Sequence, residues 1–519
     1  MINKRNTLKT IVAAGAITSF SGLVPGLWQA VAATALRTRR CVNTMALDDP
    51  DLATYRDFVG IMRSRSPNTR VSWVGFANQH GDANNFKYCP HGDWYFLPWH
   101  RGFVEMYEKT AAALTSNPGF AMPYWDWTAL RELPAAFTDP TYQGKPNPLY
   151  VPGKGDPSTL RNPLTGDYAL TDELVGPDVI RRIYEETNYE AFGTSRSVDR
   201  SNKQKPVVQN NLDPKWVPMG GGNQGILEST PHNNVHNNIG AFMPNSNSPR
   251  DPIFMMHHGN IDRIWASWNA LGRQNSTDPL WLNMPFTNNY IAPNGKFYTK
   301  KVSDLLSTTA LGYTYDNMPQ PDSKPVDAQR RANMAALFNP AAIAQPLRLK
   351  KVDMAAATAA TSRGVPFQLE ARNLAPLQAA APAPVAPGPR EVVALISDIH
   401  IADNVRAIRV FVNRDTVGPD VPVTDPHFVT TLSFLKHGGR APAGPAGHGD
   451  HAAHGAGSGH AGRQPSAMVN LTETLRRLSQ TQGLQGNTIT VQLVALPFAG
   501  TPAAEVGTVV PASVEIAFI

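Results

Sequence analysis

The chain has almost no net charge outside its N-terminus. Residues 1–40 carry six Lys and Arg and no acidic residue, so the other 41 Lys and Arg balance the 41 Asp and Glu of the chain. The part of the chain after residue 40 therefore has no excess positive charge and no general attraction for polyanions, which argues against a nucleic-acid partner. After the N-terminal segment no run of about 20 apolar residues occurs, so we predict no membrane span.

The basic N-terminal segment resembles an export signal. Three basic residues within the first nine precede an apolar, small-residue stretch at 11–24, and Ala30-Val-Ala32 fits a cleavage site. This pattern predicts a signal over residues 1–33 and an exported protein, either periplasmic or secreted. Lys4-Arg5 loosely resembles a twin-arginine signal with Lys at the first basic position. A flexible or amphipathic N-terminus is the alternative.

Histidine is scarce in the first 399 residues, where only seven occur. Six of them form two triplets, which are His80, His91 and His100, and then His232, His236 and His258. Neutral imidazole is a preferred ligand of copper, zinc, iron and nickel, and three imidazoles per metal leave positions open for an exogenous ligand. The two triplets therefore predict a dinuclear centre that handles a small molecule such as dioxygen.

The local sequences around the triplets narrow the choice of metal. His232 and His236 are four residues apart, so on a helix both rings leave from one face. Zinc sites use the same spacing, but neither triplet has a carboxylate partner at the usual zinc-site spacing, which disfavours a zinc hydrolase. The other motif segments are residues 89–101, 123–127 and 251–265.

These segments resemble, in order and spacing, the type-3 copper proteins: tyrosinases, catechol oxidases and molluscan haemocyanins. The resemblance runs from about residue 41 to about residue 318 and includes Gly312-Tyr-Thr-Tyr315, similar to the tyrosine motif that closes the catalytic domain of many members. It implies two copper ions as cofactors. The implied ligands are His80, His91 and His100 for CuA and His232, His236 and His258 for CuB, which leaves His257 to pack beside the site.

We predict a mainly α fold with two domains. Residues 41–318 would form a helical-bundle copper domain, with the metals between facing helices. Residues 319–390 are rich in Ala and Pro and are predicted to be a linker region. Residues 391–519 show short segments of alternating, β-branched residues, which predict a C-terminal β-sandwich. The predicted strands are residues 392–396, 407–412, 428–434, 488–494 and 514–518.

The C-terminal domain carries two further expectations. Its insertion at 440–464 is rich in Gly, Ala and His and is predicted to be disordered; it would either be simply solvated or bind copper loosely. Plant polyphenol oxidases and haemocyanins have a C-terminal β-domain that covers the copper site, so the resemblance implies that this domain shields the site. A stabilising or oligomerising domain is the alternative.

The resemblance also implies a catalytic pair. In several members a Glu shortly before the first CuB histidine and an Asn just after it hold a water that serves as base for monophenols. Glu228 lies four residues before His232, and Asn233 follows it directly. A carboxylate bonded to such a water fits general-base chemistry. A helix N-terminal acid and a solvent-facing Asn are the alternative readings.

Further residues have expected positions around the centre. Ser246, ten residues after His236, lies in the loop where relatives place residues near the site entrance, although a surface turn fits it equally well. Asp262 and Arg263 are expected in buried ion pairs that orient helices, and Asp126 in the core.

Only two cysteines are present, Cys41 and Cys89, and a disulfide between them would suit an exported protein. In fungal tyrosinases and molluscan haemocyanins, however, a Cys-X-His segment such as Cys89-Pro-His91 forms a thioether between the sulfur and the copper-ligating imidazole. We favour this bond here, since it would fix the ring orientation. A plain buried thiol is the alternative.

The resemblance implies a tyrosinase, which converts monophenols to o-diphenols and o-diphenols to o-quinones with O2. A catechol oxidase or o-aminophenol oxidase without monophenolase activity is the alternative within enzymes. A dioxygen carrier is a third reading, which a single copper unit behind an export signal disfavours. The expected partners are a phenolic small molecule and O2; the sequence leaves a homo-oligomer open.

Overall fold

Two helices of the first domain begin where the sequence supplies a cap. Helix α1 (Pro50–Ser64) starts with proline, and the Asp49 carboxylate accepts a hydrogen bond from the main-chain N–H two residues on, at 2.9 Å. Helix α2 (Trp73–His80) is capped by Ser72, whose hydroxyl oxygen accepts from the Gly75 N–H at 3.0 Å. These side chains satisfy donors that the first turn of a helix leaves without a partner, so both helix starts are fixed locally.

The computed structural model describes ten segments of the chain. They are residues 36–82, 86–151, 161–196, 221–318, 328–338, 347–352, 362–368, 391–435, 464–481 and 488–519. The predicted export signal at 1–33 and residues 440–463 of the predicted His-rich insertion lie outside the described residues.

The region before residue 319 is built mainly from helices, as predicted. The further α-helices are α3 (Phe96–Leu114), α4 (Asp172–Val175), α5 (Pro177–Glu185), α6 (Tyr189–Phe192), α7 (Asn233–Ile239), α8 (Ile253–Ala270) and α9 (Pro279–Leu282). The short strands are β1 (Arg37–Arg39), β2 (Thr141–Tyr142), β3 (Lys145–Pro146), β4 (Asn223–Gln224), β5 (Pro285–Ile291), β6 (Phe297–Lys301) and β7 (Tyr313–Tyr315). No helix within the described segments has the length and apolar character needed to cross a bilayer.

One turn of π-helix (Glu228–His232) runs directly into α7. Pro231 lies inside this turn and has no N–H to donate, and the Asn233 N–H bonds to the Glu228 carbonyl, five residues back. Such π-turns are rare and often occur at functional sites. His232 at its end and His236 in α7 have ring centroids 4.6 Å apart, which confirms that both rings share one face.

A buried network joins both ends of the helical domain to two of its long helices. The fully buried Arg39 of β1 donates to Glu108 of α3 at 2.7 Å and to Asp262 of α8 at 3.1 Å. Its guanidinium lies 3.6 Å from the ring centroid of Tyr313, and the Tyr313 and Tyr315 hydroxyls both donate to Asp262. Because β1 pairs in parallel with β7, the Tyr-Thr-Tyr motif closes the domain against its own first strand.

The C-terminal region forms two sheets. Its strands are β8 (Leu347–Val352), β9 (Ser362–Gln368), β10 (Val392–Ile401), β11 (Val405–Val412), β12 (Phe428–Leu432), β13 (Ser466–Asn470), β14 (Thr488–Pro497) and β15 (Val509–Phe518). The five-stranded sheet has the order β4-β13-β10-β15-β8 and the four-stranded sheet the order β12-β11-β14-β9. Helix α11 (Thr472–Gln480) follows β13, and one apolar cluster draws residues such as Ile396 and Val410 from both sheets.

The prediction that residues 319–390 are only a linker is wrong for three described segments. Helix α10 (Ala328–Phe338) packs Met334, Leu337 and Phe338 against residues of the five-stranded sheet. Strands β8 and β9 extend this sheet and the four-stranded one. Both are edge strands, which pair on one side only and tolerate residues such as Pro366, so their composition gave little indication of a strand.

The C-terminal sheets connect directly to the helical domain. Strand β4 belongs to the helical domain by sequence but pairs in parallel with β13, with Gln224 opposite Ala467. Glu173 of α4 pairs with Arg409 of β11 at 2.9 Å. Within the folded unit Leu36–Ile519, hydrogen bonds and ion pairs thus cross from one domain to the other beside the helices that carry the histidines.

Candidate dinuclear metal centre

The structure gathers the seven histidines of residues 1–399 into two buried clusters. His80, His91 and His100 lie together with Cys89, and His232, His236 and His258 lie together with His257. Within each cluster the ligand atoms lie within 4.8 Å of one another, and every member is buried. The clusters face each other, since the His100 and His258 rings stack with centroids 4.3 Å apart. Two metal-ligand sets therefore share one interior space.

Most of these imidazoles are held by a hydrogen bond on the ring nitrogen that faces away from the centre. The pairs are His80 with the Ser246 carbonyl (2.6 Å), His236 with the Met243 carbonyl (2.6 Å), His100 with the Phe96 carbonyl (2.8 Å) and His232 with the Asn233 side-chain oxygen (2.8 Å). Because each partner oxygen can only accept, Nδ1 carries the proton and Nε2 keeps a free lone pair. The Nε2 atoms of His80, His232 and His257 all have no protein partner in the described structure, so this property fits metal ligation but does not by itself separate His257 from the ligands.

Five of the six imidazoles are held in their neutral form. Burial lowers the pKa of His80 to about 3 and that of His236 to about 4. It also lowers the pKa of His100, His232 and His258 well below the ordinary value, with neighbouring histidines acting in the same direction. Neutral imidazole is the form that coordinates a metal.

His257 belongs to the second cluster by distance but differs in its hydrogen bonding. The Trp127 indole N–H donates to His257 Nδ1 at 3.2 Å, so this nitrogen is the unprotonated one. The proton then sits on Nε2, which cannot also offer a lone pair to a metal. This tautomer supports the assignment of His258, rather than His257, as the third ligand of the second cluster.

Glu228 is completely buried beside the centre. One carboxylate oxygen accepts from the Gly92 N–H at 2.8 Å, and the other accepts from the Thr194 hydroxyl. Burial raises the pKa of this carboxyl to about 8, although both hydrogen bonds oppose the rise. Glu228 is the first residue of the π-turn, so it is also an acid at a helix start, but one that is buried and bonded to groups from other segments. Gly92 and Thr194 are distant in sequence, so no local pattern could have indicated them.

Asn233 is also buried, which excludes the solvent-facing alternative. Its side-chain oxygen accepts from His232, and its amide nitrogen donates to Gln224 and to the Ser433 carbonyl, each at 2.8 Å. Sequence analysis missed Gln224 and Ser433, because their role arises only where the second domain meets the first.

Ser246 is buried, so it does not face solvent as a residue of a surface turn would, and its position near the site entrance stays a prediction. Its side chain is only 3% exposed, and its hydroxyl donates to the Asp82 carbonyl at 2.5 Å. The loop turns inward because the buried His80 ring needs an acceptor, which the Ser246 carbonyl supplies. The contact with His80 is made by the Ser246 main chain, so the residue type at position 246 could not indicate it.

Cys41 and Cys89 are both free thiols, so no disulfide joins them. Cys89 is buried, and its Sγ lies 3.5 Å from each ring nitrogen of His91 and 3.2 Å from His100 Nε2. A sulfur that faces Cε1, the ring carbon between the two nitrogens, is equidistant from both.

The remaining expected residues lie where the ion-pair interpretation placed them. Asp262 is almost completely buried, and Arg101 donates to it at 2.5 Å. Burial would raise the pKa of Asp262, but Arg101 and Arg39 hold it below its ordinary value. Arg263 pairs with Asp126 at 3.1 Å.

Comparison with known proteins agrees with this centre. Residues 70–271 match the model of the common central domain of tyrosinase. The chloroplastic polyphenol oxidase of Malus domestica is 32% identical over 265 residues, which cover 47% of this chain and 41% of that protein. A tyrosinase of Hahella sp. (strain CCB-MM4) is 28% identical over 316 residues, covering 54% of this chain and 63% of that protein. The chain spans about half the length of the curated relatives it matches.

Solved structures show that the fold is shared over nearly the whole length. Latent apple tyrosinase superposes with a TM-score of 0.59 at 22% identity, covering 93% of this chain and 97% of that one. Latent aurone synthase from its natural source superposes with a TM-score of 0.60 at 19% identity, covering 93% of this chain and 90% of that one. The helical domain and the C-terminal sheets therefore occur together in other proteins.

Proposed function

Because residues 70–271 match the common central domain of tyrosinase and two buried histidine clusters fit two copper ions, we propose that the chain is a tyrosinase of the type-3 copper family that oxidises phenols with dioxygen. It would convert monophenols to o-diphenols and o-diphenols to o-quinones. The observation that carries the proposal is the pair of facing, buried three-histidine clusters, which fit the CuA and CuB sites of the family.

When bound, the copper pair supplies the electrons that reduce dioxygen and a coordination position for the phenolic oxygen. Burial keeps five of the six imidazoles neutral, and four of these are held by Nδ1 hydrogen bonds. Phe86, Phe96 and Phe254 pack with ring centroids 4.1–4.8 Å from ligand imidazoles, which limits water around the centre. Such a dry, preorganised site favours charge transfer within it.

Glu228 and Asn233 are proposed to hold the water that removes the proton of a monophenol. A phenol must lose this proton before its oxygen can bind copper, whereas burial raises the pKa of Glu228 to about 8 and so makes it a stronger base than an ordinary carboxylate. The position of Glu228 one π-turn before His232 supports this role.

A catechol oxidase or o-aminophenol oxidase is the second candidate, and one observation favours it. Both N–H groups of the Asn233 amide are already donated, to Gln224 and to Ser433. Both oxygens of Glu228 likewise have donors. In this arrangement Glu228 and Asn233 have fewer groups left to bind a water. A catechol oxidase with this arrangement would oxidise monophenols poorly and would still oxidise o-diphenols.

Oxygen uptake by the copper-loaded full chain separates these candidates. A tyrosinase consumes O2 with tyrosine and with the matching diphenol, and shows a lag on tyrosine. Uptake with the diphenol alone would favour the catechol oxidase. No uptake with either substrate, in protein that holds two copper ions per chain, would contradict both enzymatic proposals.

We also propose that the Cys89 sulfur is bonded to Cε1 of His91 in the mature enzyme. The bond would form with loss of the thiol hydrogen and the Cε1 hydrogen, and dioxygen would take up both hydrogens and two electrons to give hydrogen peroxide. The equidistance of Sγ from the two ring nitrogens supports the proposal. The bond would prevent rotation of a copper ligand.

Export of the protein and shielding of the centre by the C-terminal domain complete the proposal. Support for shielding comes from residues 429–434, which approach α7: Asn237 donates to the Ser433 hydroxyl at 2.6 Å and to the Phe434 carbonyl at 3.1 Å. Deletion of residues 375–519 tests shielding, since soluble enzyme with unchanged kinetics would contradict it. Cell fractionation tests export, and we expect the protein in the periplasmic or secreted fraction.

A further inference from the structure

Beside the second cluster, the Ser229 carbonyl of the π-turn accepts a hydrogen bond from the C-terminal domain. In a regular α-helix the Asn233 N–H would bond to the carbonyl four residues back, that of Ser229, but it bonds to Glu228 instead. The Ser229 carbonyl accepts from the Ser433 N–H, which follows β12, at 2.8 Å. A buried carbonyl requires a partner, so the C-terminal domain completes the hydrogen bonding of the segment that carries His232.

The same residue of the C-terminal domain also holds the side chain that orients His232. The Asn233 amide has two N–H donors and one oxygen, and all three groups are in use. The oxygen accepts from His232 Nδ1, one N–H reaches the Ser433 carbonyl and the other reaches Gln224. With both N–H groups fixed, the amide cannot turn over, and its oxygen stays directed at the imidazole.

Gln224, the second acceptor, is held from both domains, since its main chain bridges to Thr194 of the helical domain and also pairs with the C-terminal sheet. It lies in β4, which pairs in parallel with β13 and adds the fifth strand to the C-terminal sheet. Its side chain is 2% exposed. The acceptors of both Asn233 donors therefore depend, wholly for Ser433 and partly for Gln224, on the docked position of the C-terminal sheets.

We propose that the docked C-terminal domain is a positioning element of the copper-B site, acting on His232 through the Asn233 amide. This positioning role rests on the proposed copper centre. It differs from shielding because it concerns how tightly copper is bound, whereas shielding concerns the access of substrate. When the domain is displaced, the Ser229 carbonyl loses its partner and the Asn233 amide is free to rotate. Loss of such an outer hydrogen bond typically weakens metal binding about 10–100-fold.

The interdomain pair Glu173–Arg409 provides the variants. Its atoms are 2.9 Å apart, and neither residue contacts a histidine of the centre through a hydrogen bond in the described structure. Glu173→Arg and Arg409→Glu each place like charges across the interface, whereas the double variant restores an ion pair in reverse. Gln224→Leu removes one acceptor of the Asn233 amide and leaves the Glu173–Arg409 pair intact. It therefore tests the hold on the Asn233 amide without changing the charged contact between the domains.

Copper is to be measured on the full-length holoenzyme by chelator titration with metal analysis and electron paramagnetic resonance. A coupled Cu(II) pair is silent, so loss of one ion produces a signal from the copper that remains. We expect each single charge reversal and Gln224→Leu to weaken one of the two coppers about 10–100-fold. The double charge reversal should return copper retention towards that of the parent.

Three other results would each have a distinct meaning. If the parent binds two coppers and all variants hold them equally tightly, the positioning role is wrong and the proposed centre stands. Single reversals that raise turnover without loss of copper would likewise overturn positioning and support shielding. A parent chain that binds fewer than two coppers would overturn the proposed function, and the positioning role with it.

Discussion

Arg101 donates a 2.5 Å hydrogen bond to the buried carboxylate of Asp262, and this bond ties together the helices of the two clusters. Arg101 follows His100 on α3, and Asp262 lies one turn after His258 on α8. Because Asp262 also accepts from Arg39, Tyr313 and Tyr315, one carboxylate joins α3, α8 and both ends of the helical domain.

We expect Asp262→Ala to be strongly destabilising, because it leaves two buried arginines without their shared counter-charge. Loss of one partner of a buried ion pair costs about 3–5 kcal/mol. Urea unfolding of the apoprotein measures this cost without interference from copper. Asp172→Ala is the matched control, since its pair with Arg131 is exposed and should contribute less than about 1 kcal/mol. Equal effects of the two variants would contradict a structural role for the network.

The tautomer of His257 leads to a prediction about copper stoichiometry. His257→Gln should retain two coppers per chain, because the Trp127 indole already fixes this ring as a hydrogen-bond acceptor rather than a ligand. His258→Gln should retain one copper and give a paramagnetic signal. Metal analysis and electron paramagnetic resonance measure both. Loss of one copper from the His257 variant, with two retained in the His258 variant, would reverse the ligand assignment.

The pH dependence of monophenol oxidation should report the ionisation of Glu228. Its carboxylate is the active form, and with a pKa of about 8 the ionised fraction falls about tenfold for each pH unit below that value. Monophenolase activity should therefore rise with pH until about 8, while diphenol oxidation does not follow the same curve. Glu228→Gln should lower the monophenol rate about 100-fold or more and abolish this rise. Equal losses on both substrates would argue against a base role.

The thioether is tested by mass spectrometry of the copper-loaded protein. The peptide that contains Cys89 and His91 should be lighter by two hydrogen atoms than its sequence predicts, and its thiol should resist alkylation after unfolding. Cys89→Ser is the control, since serine cannot form the bond and the peptide should have its full expected mass. An unmodified, alkylatable Cys89 in holoprotein would contradict the thioether.

Much of the centre could be predicted from the sequence because a metal site is specified by residue type and spacing. The i, i+4 spacing of His232 and His236 places both rings on one helix face in any helical context. Seven histidines in 399 residues made the two triplets conspicuous, and alternation of β-branched residues gave strands such as β10 and β14. Local pattern was sufficient in each case.

Tertiary structure decided the features that depend on main-chain groups and on distant partners. Ser246 acts through its carbonyl on His80, and Ser433 acts through its main chain on Ser229 and Asn233, so their side chains carried no signal. Composition predicts a linker where the edge strand β9 forms, because the pairing of β9 is decided by its neighbour β14. Side-chain chemistry and periodicity are local and can be read along the chain, whereas the partner of a main-chain N–H or carbonyl exists only after distant segments have packed together.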